Sequence, residues 1–302
     1  MVAILLRLAV SVTAAFAIIA APAAATTDPE AVIKVGRNTG FTAVGAGSLW
    51  ISDRGADRVI RVNPVTNRIT KKIAVGSEPF GVAYGARSVW VVHHLDDRLY
   101  RINARSGKVI KKIRVGFGSY GVAVGAGAVW VTNAFDGRLR RIDRRRNRVV
   151  RTIRLGGELD GVTVAFGQVW VSGFGKSFLA RVDPRTNRVT ASLPIPKADW
   201  ITSSGDALWV SSESGKVYRV DPASATVTAT VPVGANPLAS AIVNGLLWVP
   251  NIDAGTVSVV DPARNAVRST IAVDNAPIAV VSAAGSGWVT HETGVLWRLA
   301  AR

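Results

Sequence analysis

The chain has 302 residues, 48% of them hydrophobic, no cysteine and a formal net charge of +17. That apolar content excludes a disordered chain. The absence of cysteine excludes disulfides, thiolate catalysis and thiolate metal sites.

The first segment stands apart from the rest. Arg7 precedes an apolar run from Leu8 to Ala21, followed by Pro22 and Ala23-Ala24-Ala25. A basic residue, an apolar stretch and an Ala-x-Ala site are the marks of a secretory signal peptide. Residues 1–25 are expected to be that signal, with an uncleaved N-terminal anchor as the alternative. The mature protein is then secreted or periplasmic. Residues 26–302 form one domain.

The reason is a repeat. Trp50, Trp90, Trp130, Trp170, Trp209, Trp248 and Trp288 follow one another at steps of 40, 40, 40, 39, 39 and 40 residues. Within the unit that begins at Ser119, four short runs are rich in β-branched and aromatic residues: Gly121 to Val124, Ala128 to Asn133, Arg138 to Asp143 and Arg148 to Leu155. Such runs, bounded by turn residues, are predicted strands. A period near 40 with four strands per unit predicts propeller blades. The fold class is therefore all-β, a seven-bladed β-propeller with four-stranded blades.

The punctuation agrees. Gly125-Ala126-Gly127, like Gly45-Ala46-Gly47, joins the first two strands of its unit where positive φ is needed. It leads into a strand, so it is not a phosphate loop. Asp183-Pro184-Arg185-Thr186-Asn187 recurs as Asn63-Pro64-Val65-Thr66-Asn67 and Asp261-Pro262-Ala263-Arg264-Asn265. Asp or Asn caps this turn, Pro presets φ, and the final Asn tolerates the left-handed region. The repeated Trp is expected to pack between neighbouring blades. The seventh unit holds only three runs, Ile278 to Ala283, Gly287 to His291 and Val295 to Ala300, and then the chain ends. Ala31 to Gly36 matches the fourth-strand pattern of Lys72 to Gly76. It is expected to complete the last blade and remove an open edge.

Trp130-Val131-Thr132-Asn133, with Gly121-Val122-Ala123-Val124 before it and Val257-Ser258-Val259-Val260-Asp261-Pro262 later, resembles the YVTN-type β-propeller repeats of exported and surface proteins. The resemblance spans about residues 31 to 302. The repeat style is also similar to that of virginiamycin B lyase-like propellers. That second likeness implies a lyase using a late histidine and glutamate with magnesium. His291 and Glu292 stand at a similar place, whereas the sixth unit offers Asn251 and no histidine.

Charge is lopsided. Residues 1–150 carry 24 Lys plus Arg against 9 Asp plus Glu, a surplus of 15; residues 151–302 carry 13 against 11, a surplus of 2. The excess clusters in the outer strands of the first three blades, among them Arg101, Lys111, Lys112, Arg141, Arg144, Arg145, Arg146, Arg148 and Arg151. A basic arc favours polyanions: anionic surface polymers, lipid head groups or nucleic acid. Aromatic side chains scarcely interleave with it, so no sequence-specific nucleic-acid binding is expected and any such contact would be phosphate-driven. Lys and Arg on rim strands also deter edge-to-edge pairing, which is the plainer account of the same charges.

Ligands of propellers sit at a channel mouth built by loops from several blades. The residue three past each repeated Trp is Asp53, His93, Asn133, Gly173, Ser212, Asn251 or His291; the next is Arg54, His94, Ala134, Phe174, Glu213, Ile252 or Glu292. All three histidines fall in this set. The blade-to-blade connections add Phe80, Tyr120, Asp160, Asp199 and Trp200. The mouth is expected to be polar on one side and aromatic on the other. Two functions follow as expectations. The first is a non-enzymatic scaffold, monomeric and without cofactor, that binds a protein or small ligand through Asp53, Phe80, His93, His94, Tyr120, Asp160, Asp199, Trp200, Glu213 and Asn251. The alternative is a lyase with His291 as base and Glu292 or His93 holding a divalent ion such as magnesium. No nucleophile motif such as Gly-x-Ser-x-Gly supports a hydrolase.

Overall fold

The computed structural model describes residues 25–273 and 276–301; apart from Ala25, the expected signal segment lies outside the described residues. The chain folds into seven sheets, each built from four antiparallel strands, arranged as a ring. Blade three is representative, with Ser119–Gly125 innermost, then Ala128–Asn133, Arg138–Asp143 and, outermost, Arg148–Arg154. Blades one, two, four, five and seven start at Thr39, Pro79, Leu159, Ala198 and Pro277. Blade six starts with an isolated bridge from Pro237 to Asn251, ahead of Ala241–Val243. Its outer edge also carries Ala25–Thr26, paired in parallel with the strand Ala266–Ala272.

The strand Ala31–Lys34 pairs antiparallel with Val295–Ala300 and is the outermost strand of blade seven. Among the described residues, no helix is long and apolar enough to cross a membrane.

The turns follow their local chemistry. Ala126 and Gly127 lie at φ 47 and 75, and Ala46 and Gly47 at 51 and 66, as a two-residue hairpin of this twist demands. In the Asp-Pro turn, the Asp183 carboxylate accepts from the Arg185 amide at 2.8 Å, and Asn187 takes φ 59. That amide bond holds the Asp183 carboxyl below its ordinary range.

The second strand of each blade organises the core. Every residue of Ser48–Asp53 is buried, and the same holds for Ser88–His93, Ala128–Asn133 and Ser286–His291. A strand in a propeller blade has a neighbouring blade on each face, so its period-two alternation has no solvent side. Trp50 packs with Val82, Val89, Val91 and Tyr100 of the following blade. Leu49 and Ile51 pack with Trp288 of the preceding one. Two positions after the tryptophan, a hydroxyl stitches the seam. Ser52 Oγ donates to the Phe80 carbonyl at 2.8 Å, Thr132 Oγ1 to the Asp160 carbonyl at 2.5 Å, and Ser172 Oγ to the Asp199 carbonyl.

A second seam lies towards the rim. The Arg141 guanidinium sits 5.3 Å from the Trp130 ring centre and donates to the Pro184 carbonyl at 2.8 Å and to Asn187 Oδ1 at 2.9 Å, both in the next blade. Arg101 does the same over Trp90, reaching the Arg144 carbonyl and Asn147 Oδ1, each at 2.9 Å. Arg298 lies over Trp288 and reaches Asn67 Oδ1 at 3.3 Å, which carries the clamp across the closure from blade seven to blade one. Arg101 and Arg141, assigned from the sequence to the basic arc, are thus half-buried clamp residues.

Replacing Trp130 by Ala is expected to lower unfolding free energy by about 3–5 kcal/mol in urea titrations, because it empties a site enclosed by two blades. Arg141→Lys is expected to recover little of the clamp, since an ammonium cannot donate in the same planar fork.

Candidate functional site at the channel mouth

The residues three past each tryptophan are the last residues of second strands, not loop residues. Asp53, His93, Asn133, Ser212, Asn251 and His291 are all buried. Their side chains tie down neighbouring backbone. Asp53 accepts from the Arg37 amide at 3.1 Å and from Arg58 Nε at 2.8 Å. Ser212 Oγ donates to the Pro196 carbonyl at 2.6 Å, and Asn251 Nδ2 donates to Thr256 and Ser258 at 3.0 Å each. The glycines of the incoming connections make room for this. A Cβ on Gly36 would sit 2.6 Å from Asp53 Cγ, and one on Gly234 would sit 2.6 Å from Asn251 Cγ.

His93 donates through Nδ1 to the Arg98 carbonyl at 3.0 Å, which leaves Nε2 as a buried acceptor without a partner. Burial lowers its pKa to about 4. His291 is buried beside the Trp297 ring, with ring centres 5.1 Å apart. Asp53, His93 and His291 therefore hold equivalent stations in three different blades. Among the described residues, no three His, Asp or Glu side chains gather closely enough to hold a metal ion.

One residue later the chain does reach the mouth. Arg54 pairs with Glu78 at 3.3 Å and with Glu292 at 3.7 Å, and its guanidinium lies 5.1 Å from the Phe80 ring centre. The His94 ring is 5.9 Å from Phe80 and 5.1 Å from Phe135. Glu213 pairs with Lys197 at 3.4 Å.

The blade-to-blade set converges. Six of the seven innermost strands carry a bulge just after their first residue, as between Ser119 and Val122, and a bulge re-aims the side chain it contains. Phe41 of blade one, Ala239 of blade six and Ala279 of blade seven form one buried cluster, with Phe80, Tyr120 and Trp200 of blades two, three and five packed against it. A cluster drawn from all round the ring can lie only in the channel. The Phe41 and Trp200 rings stack with centres 4.4 Å apart at an interplanar angle of 9°. Phe80 and Tyr120 are 4.5 Å apart.

Blades four and five add Asp160 and Asp199, 7% and 5% exposed. Oδ2 of Asp160 and Oδ1 of Asp199 are buried without a hydrogen-bond partner. Burial, together with the Asp199 and Glu158 charges, raises the Asp160 pKa to about 8. Burial and the Glu213 charge raise that of Asp199 to about 7. The Tyr120 hydroxyl is pushed well above its ordinary range by burial and by both carboxylates. The mouth thus has an acidic side and an aromatic side. Phe41 belongs to it although the sequence reading did not name it; Arg54, named there in the mouth set, does too. Blades one and two share one bulge register, which places Phe41 opposite Gly81 of blade two and level with Trp200 of blade five; blades two to four carry glycine at that position.

The chain matches no family model and no curated protein. Among solved structures it is similar to the hydrazine synthase of Kuenenia stuttgartiensis, with a TM-score of 0.77 and 16% identity over 92% of this chain and 98% of that one. It is also similar to a streptogramin B lyase, with a TM-score of 0.77 and 16% identity over 87% of this chain and 93% of that one. At that identity the likeness is one of fold.

Stability should report the buried acids. A carboxyl whose folded pKa is raised keeps its proton in the fold while the unfolded chain has released it, so stability falls as pH climbs from about 4 to about 8. His93 acts in the opposite sense: its stabilisation is full above about 6.5 and lost as pH falls towards 4. Between about pH 4 and 6.5 the two raised carboxyls outweigh the one histidine, so thermal melts are expected to be highest near about pH 4 and to fall as pH rises. In the Asp160→Asn, Asp199→Asn double variant that fall should vanish and leave the opposite trend of His93.

Proposed function

We propose that this chain is an exported, non-enzymatic propeller scaffold that binds a small ligand or a partner-protein segment at the channel mouth. The single observation that carries the reading is the convergence of Phe41, Phe80, Tyr120, Trp200, Asp160 and Asp199 from five blades at one end of the channel. A rigid ring presenting apolar faces beside a few unsatisfied polar atoms has the composition of a binding pocket. His93 and Asp53 are instead engaged within their own blades, by the Arg98 carbonyl and by Arg58. Export rests on the Arg7, Leu8 to Ala21 and Ala23-Ala24-Ala25 pattern.

The same scaffold meets polyanions through the outer edge of blades one to three. Lys111, Lys112, Arg145, Arg146, Arg148 and Arg151 are exposed there, while Arg144 is partly covered and lends its carbonyl to Arg101. In heparin chromatography, Arg145→Ser, Arg146→Ser and Arg148→Ser together should elute earlier. The slope of log affinity against log salt should fall by about 1 for each arginine that had paired with an anionic group. Retention that ignores salt would sink this part.

A lyase reading draws on the fold shared with the streptogramin B lyase and on Glu292 at the mouth. It requires His291 to act from a station that is 1% exposed. Calorimetry with magnesium, and turnover of a streptogramin by the His291→Ala variant, decide it; metal-dependent turnover abolished by that change would displace the scaffold reading.

A further inference from the structure

We propose that the carboxylates of Asp160 and Asp199, together with the rings of Tyr120 and Trp200, form a binding site for an organic ammonium cation. The proposal rests on the mouth being a ligand site and names the chemical class that it takes.

The carboxylates lack a counter-charge. The charged groups acting most strongly on Asp160 are Asp199, Glu158 and Glu213, and the one acting on Asp199 is Glu213, all of them acidic. Lys197, which would be a natural partner, is engaged by Glu213 at 3.4 Å. Arg54 stands on the aromatic side, over Phe80 and between Glu78 and Glu292. Each aspartate thus offers the channel one carboxylate oxygen that is stripped of water and has no donor. An unpaired buried acceptor is unfavourable, and a bound cation beside it would offset that cost.

The surrounding walls choose among cations. Tyr120 feels both carboxylates, and Trp200 follows Asp199 in the chain. Ring faces carry negative quadrupole density, which attracts a diffuse, weakly hydrated cation. A calcium ion prefers six to eight oxygen ligands. Two carboxylates set among rings match an ammonium group better: its N–H or polarised C–H groups face the oxygens, and its alkyl surface lies on the aromatics. Phe41 and Ala279, in the cluster against which Tyr120 and Trp200 pack, are apolar and suit that alkyl surface.

The test, run at about pH 9 so that both carboxyls are ionised, compares choline with its neutral isostere, 3,3-dimethylbutan-1-ol, by isothermal calorimetry and by tryptophan fluorescence on the intact chain. Choline or tetramethylammonium is expected to bind with a Kd of about 1 mM or tighter. The neutral alcohol should bind at least about tenfold more weakly. The Asp160→Asn, Asp199→Asn double variant should lose choline binding by a similar factor, with near-ultraviolet circular dichroism checking that the ring is intact. The alcohol comparison needs no variant, so it decides even if that variant misfolds. Equal binding of choline and alcohol, undiminished choline binding by the folded double variant, or no ammonium binding at all would overturn the proposal. Trp200→Leu separates the two levels. If the alcohol binds as well as choline and Trp200→Leu abolishes both, the mouth is a ligand site of another class. If Trp200→Leu changes no binding, the mouth reading itself fails.

Discussion

The seam between neighbouring blades is the interaction on which the ring depends. Each second strand is enclosed on both faces, so every one of its side chains must meet protein. Three positions meet that demand in different ways. The tryptophan fills the gap to the following blade, the hydroxyl two residues later reaches that blade's innermost carbonyl, and the residue after it holds the incoming connection. On the rim side, arginines such as Arg101, Arg141 and Arg298 stack on the tryptophan and grip the next turn. In blades one, three, four and five a short run, Trp-x-Ser/Thr, therefore carries both the apolar and the polar half of the contact.

This enclosure also decides what can be a site. A polar side chain at the end of the second strand is recruited to satisfy backbone, as in Asp53 with the Arg37 amide, and is removed from solvent. The residues left over for ligands sit where the bulged inner strands turn into the channel. There the ring symmetry helps, because equivalent positions of many blades face one small volume. Aromatics from four blades close that volume, and one oxygen of each of two aspartates is buried without a donor. Unsatisfied buried acceptors oppose folding, and burial raises the pKa of both carboxyls accordingly.

The fold was legible because its signals are periodic. Seven tryptophans at steps of 39 or 40 residues, Gly-x-Gly hairpins and Asp-Pro turns each recur, and repetition turns weak local preferences into a strong count. The observed strands of blade three match the predicted runs to within two residues at either end. The candidate site was legible in part. Phe80, Tyr120, Asp160, Asp199 and Trp200 were recognisable as departures from the repeat, and they do come together around the channel. The histidines were equally conspicuous departures, yet His93 and His291 lie inside separate blades. Departure from a repeat marks a position as free of its pattern, but does not say which face of a strand it occupies.

The amino-acid sequence by itself determined the number of blades, the turn types, the packing role of the tryptophans and the uneven spread of charge. These follow from spacing and local conformational preference, which act over a few residues. Only the tertiary structure decided which polar residues face the channel, that Phe41 stacks on Trp200 across it, and that Arg101 and Arg141 serve the seams rather than the rim. The physical reason is a one-residue effect: a bulge in the inner strand, or one step along the second, rotates a side chain from solvent to seam. Nothing in the spacing of the residues records that rotation.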